Sequence, residues 1–328
     1  MNGYIQKFMP LWKNSELSDF LGQGSYGEVW KLIYKQEDRI IREDAVKEIL
    51  IPPASMGSLK ATKLQGLDIE GAKIYFDKVL EATQAEVDMM HSLSECPNIV
   101  QFYDYQIKNL SVVGEYGWSL YIRMEILQDL SSFLLDGGIT YYEIARLGID
   151  ISNALETCQK HNLVHRDIKP DNLFYDSHKK CFKLGDFGVS HYLDRPTEGK
   201  GRAGTLTYMP PEVYDGAPFN FSSDQYALGM ILYKLLNDNR IPGLPEYPKP
   251  FSPKERDRAL VARLHGAEVI MPSSYNRSDQ IQSPTIRVDE SISIRDSLCE
   301  IATKAVAKCP ANRYANITEF KRTLERLI

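Results

Sequence analysis

The hydrophobic pattern changes character part-way along the chain, and that change limits the fold more than any single residue does. Over positions 20–49, Leu21, Val29, Leu32, Ile40, Ile41, Val46 and Ile49 stand in short runs among glycines and charges, a pattern of strands. Positions 69–93 differ: Ile74, Val79, Leu80, Val87, Met90 and Leu93 recur at spacings of three, four and seven between acidic residues, which predicts a long amphipathic helix closed by Pro97. Two more strand-like runs follow at 99–102 and 119–127. From Leu130 onward the apolar spacing is helical, at 144–158, 223–236, 257–264, 294–307 and 317–328. The expectation is an α+β chain: a small β-rich part with one long helix, over 1–127, and a larger, mainly helical part, over 128–328. Positions 52–70 read as an insertion and 241–284 as surface segments around one short helix.

Composition narrows the function. The 328 residues carry 39 basic and 44 acidic side chains, a net charge of -5, without the basic excess of a nucleic-acid binder. The most apolar stretch, 226–236, contains Gly229 and Lys234 and falls short of the roughly 18 residues needed to cross a bilayer. Five scattered cysteines show neither a CxxC pair nor zinc spacing, which points to a reducing, cytoplasmic setting.

The chemistry lies in four places. Gly22, Gly24 and Gly27 form GxGxxG, and the strand-like Glu28-Val29-Trp30-Lys31-Leu32 that follows makes the triplet a hairpin able to lay N–H groups over phosphates rather than the start of a dinucleotide-binding helix. Lys47 sits in the strand Ala45-Val46-Lys47-Glu48-Ile49, and Glu86, between Ala85 and Val87 in the long helix, is the counter-charge a buried ammonium would need. The segment Val164-His165-Arg166-Asp167-Ile168-Lys169-Pro170-Asp171-Asn172-Leu173 gathers a carboxylate, an ammonium and an amide in a non-helical loop. Asp167 can orient a hydroxyl and take its proton, Lys169 can neutralise a transferring group, and Asn172 offers an oxygen to a metal ion. Asp186, in Leu184-Gly185-Asp186-Phe187-Gly188, offers a second hard oxygen.

In this order and at these spacings, the segments resemble the eukaryotic-type (Hanks-type) serine/threonine protein kinases. The resemblance spans about 20–324 and implies the bilobal kinase fold with ATP and Mg2+ as cofactors. It places Gly22, Gly24 and Gly27 over the phosphates, Leu21, Val29, Ala45 and Leu173 around the adenine, and Glu125 to Leu127 as the hinge. It pairs Lys47 with Glu86, makes Asp167 the base with Lys169 beside it, and gives the metal to Asn172 and Asp186. It also pairs Arg313 with Glu212 in Tyr208-Met209-Pro210-Pro211-Glu212, and assigns His165 a structural place. Lys169 and Thr205 resemble the serine/threonine class, and 236–242 with 49–53 look most like members from Gram-positive bacteria.

The expected activity is transfer of the ATP γ-phosphoryl group to Ser/Thr of protein substrates, the chain itself included, with no nucleic-acid partner. Two rivals stand beside it. A nucleotide-binding pseudokinase or scaffold is disfavoured because Lys47, Glu86, Asp167, Asn172 and Asp186 are all present; a small-molecule phosphotransferase is disfavoured by the 205–212 closure. The chain departs from the pattern in a longer Lys47-to-Glu86 interval, in Pro210 where alanine is usual, and in Gly201 at the usual phosphosite. If the segment is phosphorylated at all, Thr197 is the expected acceptor.

Overall fold

A computed structural model describes residues 4–24, 27–37, 39–53, 68–187, 206–272, 285–287 and 289–328. The chain divides into two compact units, one built from the described residues of Met1–Glu95 and Val100–Ile126 with Phe187, the other from Cys96–Ile99, Leu127–Asp186 and the described residues of Gly199–Ile328.

The first unit is a five-stranded antiparallel sheet with one long helix. Strands β1 (Ser15–Gly24), β2 (Gly27–Gln36) and β3 (Arg39–Ile51) form a meander, helix α1 (Ile69–Leu93) follows, and β4 (Phe102–Asn109) and β5 (Trp118–Met124) complete the order β1-β2-β3-β5-β4. Asp68 caps α1 by accepting the Gly71 N–H, so the predicted helix starts where its cap dictates. Phe76, Val79 and Val87 of α1 pack on Ile49, Ile51, Leu120, Ile122 and Phe102 of the sheet. Sequence periodicity missed most of β4, because Tyr103 to Lys108 are all half-buried on an edge strand and show no clean alternation.

The sheet's other face is covered by the chain's first described residues. Ile5, in a short 3-10 turn (Ile5–Phe8), and Leu11 join Trp30, Leu32, Val46 and Tyr121 in a second core. Within it Glu48, 1% exposed, accepts through Oε1 from the Tyr4 N–H at 2.9 Å, the Ser119 hydroxyl at 2.6 Å and the Tyr121 hydroxyl at 2.9 Å. Ser119 and Tyr121 belong to β5, so it is the Tyr4 N–H bond that ties the covering segment to this carboxylate.

The second unit is helical around a small sheet. It contains β6 (Gln128–Asp129), α2 (Leu130–Leu135), α3 (Tyr141–Lys160), β7 (Leu173–Asp176) and β8 (Cys181–Leu184), then α4 (Pro211–Tyr214), α5 (Phe221–Leu236), α6 (Pro253–Leu264), α7 (Arg295–Ala305) and α8 (Ile317–Glu325). The strands pair antiparallel in the order β6-β7-β8. Helix α5 is buried nearly all round and is the hub of this unit, packing against α3, α7 and α8. Capping boxes at Thr140, Asn220 and Ser252 set the starts of α3, α5 and α6 two to four residues upstream of the predicted ones, since polar caps carry no hydrophobic signal. The α+β expectation, with strands first and helices after, is what the two units contain. No helix among the described residues is long and apolar enough to cross a membrane.

Candidate functional site

In the second unit, the loop between α3 and β7 carries the predicted catalytic residues, and its shape is set by one buried carboxylate. Asp224, in the first turn of α5 and 4% exposed, accepts the His165 N–H through Oδ2 at 2.7 Å and the Arg166 N–H through Oδ1 at 2.8 Å. Burial pushes the Asp224 pKa up to about 7, against the pull of these two donors and of the Arg166 charge. Arg166 itself is held at φ 69°, a left-handed conformation that a side chain of this size adopts only when its surroundings impose it. The Asp224 clamp on two successive N–H groups is what imposes it here.

Past that kink the functional side chains converge. Lys169 Nζ donates to Asp167 Oδ2 at 2.7 Å, and Asn172 Nδ2 donates to the Asp167 carbonyl at 2.7 Å and to Oδ2 at 3.1 Å. A 3-10 turn over Pro170–Asn172 folds the loop back so that Asn172 reaches Asp167. The Asn172 carbonyl accepts the Gly185 N–H at 2.9 Å, which sets Asp186, at φ 58°, directly beyond the Asn172 backbone. Since the Asn172 amide nitrogen is committed to Asp167, its Oδ1 is the atom left for a cation, and with the hard oxygen of Asp186 close by in the chain path this donor set fits a divalent metal.

His165 is committed elsewhere. Its Nε2 lies 3.1 Å from the Gly185 carbonyl, which can only accept, so Nε2 carries the proton and Nδ1 is free to accept the Asp167 N–H at 3.4 Å. At 1% exposure it ties the loop to the Gly185 turn, in keeping with the structural place expected of it.

The first unit places the other predicted residues along one face of its sheet. Val29 pairs with Lys47, Lys47 with Ile122, and Ala45 with Met124, so all five side chains share a face. Lys47, 6% exposed, alternates with Ile49 and Ile51, the residues on which α1 packs; Glu86, half-buried, precedes the buried Val87 on that helix. Gly24 and Gly27 pair at the end of the β1–β2 hairpin, and Gly22 pairs with Val29. The three glycines are not equivalent: a Cβ on Gly27 would lie 1.6 Å from the Glu48 carbonyl oxygen, whereas one on Gly22 would meet nothing within 4 Å. Gly27 is therefore required by the approach of β2 to β3, whatever else it does. Leu21, on β1, is exposed.

At the end of this unit Glu125 is tied to Gln101 twice, its N–H donating to the Gln101 carbonyl at 3.0 Å and its Oε1 accepting the Gln101 N–H at 2.7 Å. Leu127, half-buried, and Leu173, fully buried at the start of β7, belong to the second unit. Arg313 grips Glu212 with both guanidinium nitrogens, at 2.6 and 2.8 Å, as expected. Positions 190–205, with His191, Thr197, Gly201 and Thr205, and the bulk of the 52–70 insertion lie outside the described residues.

Sequence reading missed two groups here. Asp224 was expected only as the residue that opens the helix 224–236; after Asn220, Ser222 and Ser223 it reads as one more polar residue of a helix start, and its hold on the His165 and Arg166 N–H groups leaves no local signal. Lys234 stood out as a charge inside the most apolar stretch; it donates to the Tyr208 hydroxyl at 2.8 Å.

Comparison with known proteins gives the family. A family model described as the protein kinase domain matches residues 15–320, and the chain belongs to that family. It is similar to a probable serine/threonine-protein kinase PknB of Bifidobacterium longum, 28% identical over 81% of this chain and 35% of that protein. Mouse serine/threonine-protein kinase Nek2 is 31% identical over 67% of this chain and 45% of its own length, and serine/threonine-protein kinase GIN4 of Saccharomyces cerevisiae is 28% identical over 94% and 25%. The chain thus spans less than half the length of these curated relatives.

Proposed function

We propose that this chain transfers the γ-phosphoryl group of ATP to serine and threonine hydroxyls of proteins, with Mg2+ held by Asn172 and Asp186. The observation that carries the reading is the Asp167 cluster: a carboxylate fixed through one oxygen by Lys169 and Asn172, beside the Gly185–Asp186 turn. Asn172 and Asp186 would hold the magnesium ion, which would offset the negative charge that builds up on the phosphate during transfer. The remaining work belongs to the chain. Asp167 orients the substrate hydroxyl and takes its proton as the oxygen bonds to the γ-phosphorus and the bond to the β–γ bridging oxygen breaks, releasing ADP. Lys169 lies against the same carboxylate, where its ammonium offsets charge on the group in transit.

In the first unit Lys47 reaches the α- and β-phosphates and takes Glu86 as its counter-charge. Gly22, Gly24 and Gly27 lay the hairpin backbone over the phosphates. Leu21, Val29 and Ala45, with Leu173, hold the adenine, and Glu125 to Leu127 form the hinge. Residues 1–127 and 128–328 act as the two lobes. The names of the relatives support the serine/threonine class and protein substrates. The five cysteines, all free, support a reducing, cytosolic setting.

The test is transfer of labelled γ-phosphate from Mg-ATP to the chain itself and to a generic protein, beside Asp167→Asn. Removing a general base is expected to lower the rate by about 100-fold or more. Label on serine or threonine that depends on Asp167 establishes the reading. Nucleotide binding with no transfer in the wild type overturns it in favour of a pseudokinase.

A further inference from the structure

Lys234 lies near the C-terminal end of α5, the most buried helix of the second unit, yet its ammonium has no carboxylate within ion-pair distance among the described residues. It donates to the Tyr208 hydroxyl at 2.8 Å and lies 5.0 Å from the centre of that ring. A half-buried cation whose only close partner among the described residues is a phenol is poorly compensated there, because a hydroxyl replaces part of the lost hydration and none of the charge. Two charged groups bear on it from neighbouring elements. Asp171, on the catalytic loop, favours the charged form, and Arg256, on α6, opposes it. Burial is the largest influence and brings the Lys234 pKa down to about 8. Arg256 is exposed and likewise has no carboxylate within ion-pair distance among the described residues. Two cations therefore face one aspartate.

The position of this cluster gives it a use. Tyr208 and Asp167 line one small cleft together with Ile168, Met209 and Pro210, so the lysine is one side chain away from the carboxylate that receives the substrate hydroxyl. A peptide whose serine or threonine hydroxyl approaches Asp167 must pass neighbouring side chains over this surface.

We infer that Lys234 and Arg256 form a recognition subsite for an aspartate or glutamate side chain of the protein substrate, close in sequence to the residue that is phosphorylated. A substrate carboxylate supplies the counter-charge that the described residues do not, and a charge-assisted hydrogen bond to Lys234 replaces the weaker one to a phenol. The inference rests on the kinase reading for its reaction, but its binding step stands apart from transfer, and the experiment separates the two.

A set of fluorescent serine peptides carries a single aspartate, alanine or lysine at each of the five positions on either side of the serine. Affinity is read by anisotropy in the presence of Mg-ADP, and transfer from Mg-ATP by kcat and KM. At one or more positions the wild type is expected to favour aspartate over alanine by about tenfold, chiefly in KM and Kd, the scale of one partly buried ion pair. Lys234→Met brings that ratio towards one, Arg256→Ala lowers it while leaving the helix hub untouched, and Lys234→Glu turns the preference to lysine. The preference also fades as pH rises past about 8, where Lys234 loses its proton. Equal affinity for aspartate, alanine and lysine peptides at every position overturns the subsite even if all are phosphorylated. So does an aspartate preference that survives in Lys234→Met. An aspartate preference in binding with no transfer leaves the subsite standing and strikes the kinase reading instead.

Discussion

At the scale of single residues, the loop that carries Asp167 is organised by a buried carboxylate in the next helix but one along the chain, Asp224. Asp224 accepts two successive N–H groups, one on each oxygen, and the loop conformation that includes the left-handed Arg166 depends on both bonds. Asp224→Asn keeps the shape of the side chain but replaces one acceptor with a donor, which then faces a backbone N–H. Leaving one buried N–H unbonded is expected to cost about 1–3 kcal/mol of stability. The same change frees Arg166 to relax from φ 69°, and Asp167 follows it in the chain. Thermal melting measures the first effect, and kcat with unchanged KM for ATP the second: kcat is expected to fall well beyond what the fraction folded explains. A variant that melts lower but keeps its kcat would show that Lys169 and Asn172 alone hold Asp167. The grouping of Asp167, Lys169 and Asn172 was legible in the sequence because it is local, within a loop of six residues. The clamp was not, since His165 and Asp224 are 59 positions apart and nothing in either segment announces the other.

At the scale of elements, what the sequence conveyed follows from which faces are buried. Helix α1 buries one stripe and was readable to its ends, Ile69 and Leu93. Helix α5 is buried on all sides, so its apolar run marked a buried element, while its first turn, held by Asn220 and Ser223, left no hydrophobic trace. The cover on the outer face of the first sheet was illegible for a different reason. Its apolar residues, Ile5, Phe8, Leu11 and Trp12, follow neither helical nor strand spacing, because a short turn and an irregular segment present them. That cover lies over β3, the strand that carries Lys47, and bonds to Glu48, the next residue along. Ile5, 1% exposed, is expected to lose about 3 kcal/mol when cut to alanine, the usual cost of emptying a buried aliphatic site. Because the cover and the inner core of Ile49, Ile51, Val79 and Val87 lie on opposite faces of one sheet, the loss should appear in hydrogen exchange of β2, β3 and β5. If Ile5→Ala leaves those strands as protected as before, the cover is an ornament on the sheet rather than part of its core.

At the scale of the whole molecule, two buried groups of opposite sign give stability an unusual dependence on pH. The Asp224 pKa is raised by burial, to about 7 from an ordinary 3.8, so the folded state binds a proton there that the unfolded chain has already released. The stability this contributes is present below pH 4 and is lost as pH rises towards 7. Lys234 is displaced downward, from 10.5 to about 8, again by burial first. Between pH 8 and 10.5 the unfolded chain holds the proton that the folded chain has lost, so stability from this group rises with pH across that window. Other carboxylates act lower on the scale. Asp129, Asp176 and Glu156 feel the upward push of burial but are held below their ordinary values by hydrogen bonds and, for the last two, by Lys183 and Lys321, so their contribution is lost only in acid. Above pH 9 the buried thiols of Cys158 and Cys299, held protonated chiefly by burial, work against the lysine. The two central groups are therefore best isolated by difference. The melting temperature of the wild type relative to Asp224→Asn is expected to fall between pH 4 and 7 and then level off, and relative to Lys234→Met to rise between pH 8 and 9. The two trends leave the folded chain least helped by these groups between pH 7 and 8, where both are charged or nearly so. Burying two such charges in that range is the cost of placing one at the base of the loop that carries Asp167 and the other beside Tyr208. A flat difference for Asp224→Asn across pH 4 to 7 would mean that the His165 and Arg166 donors outweigh burial and keep the carboxylate ionised throughout.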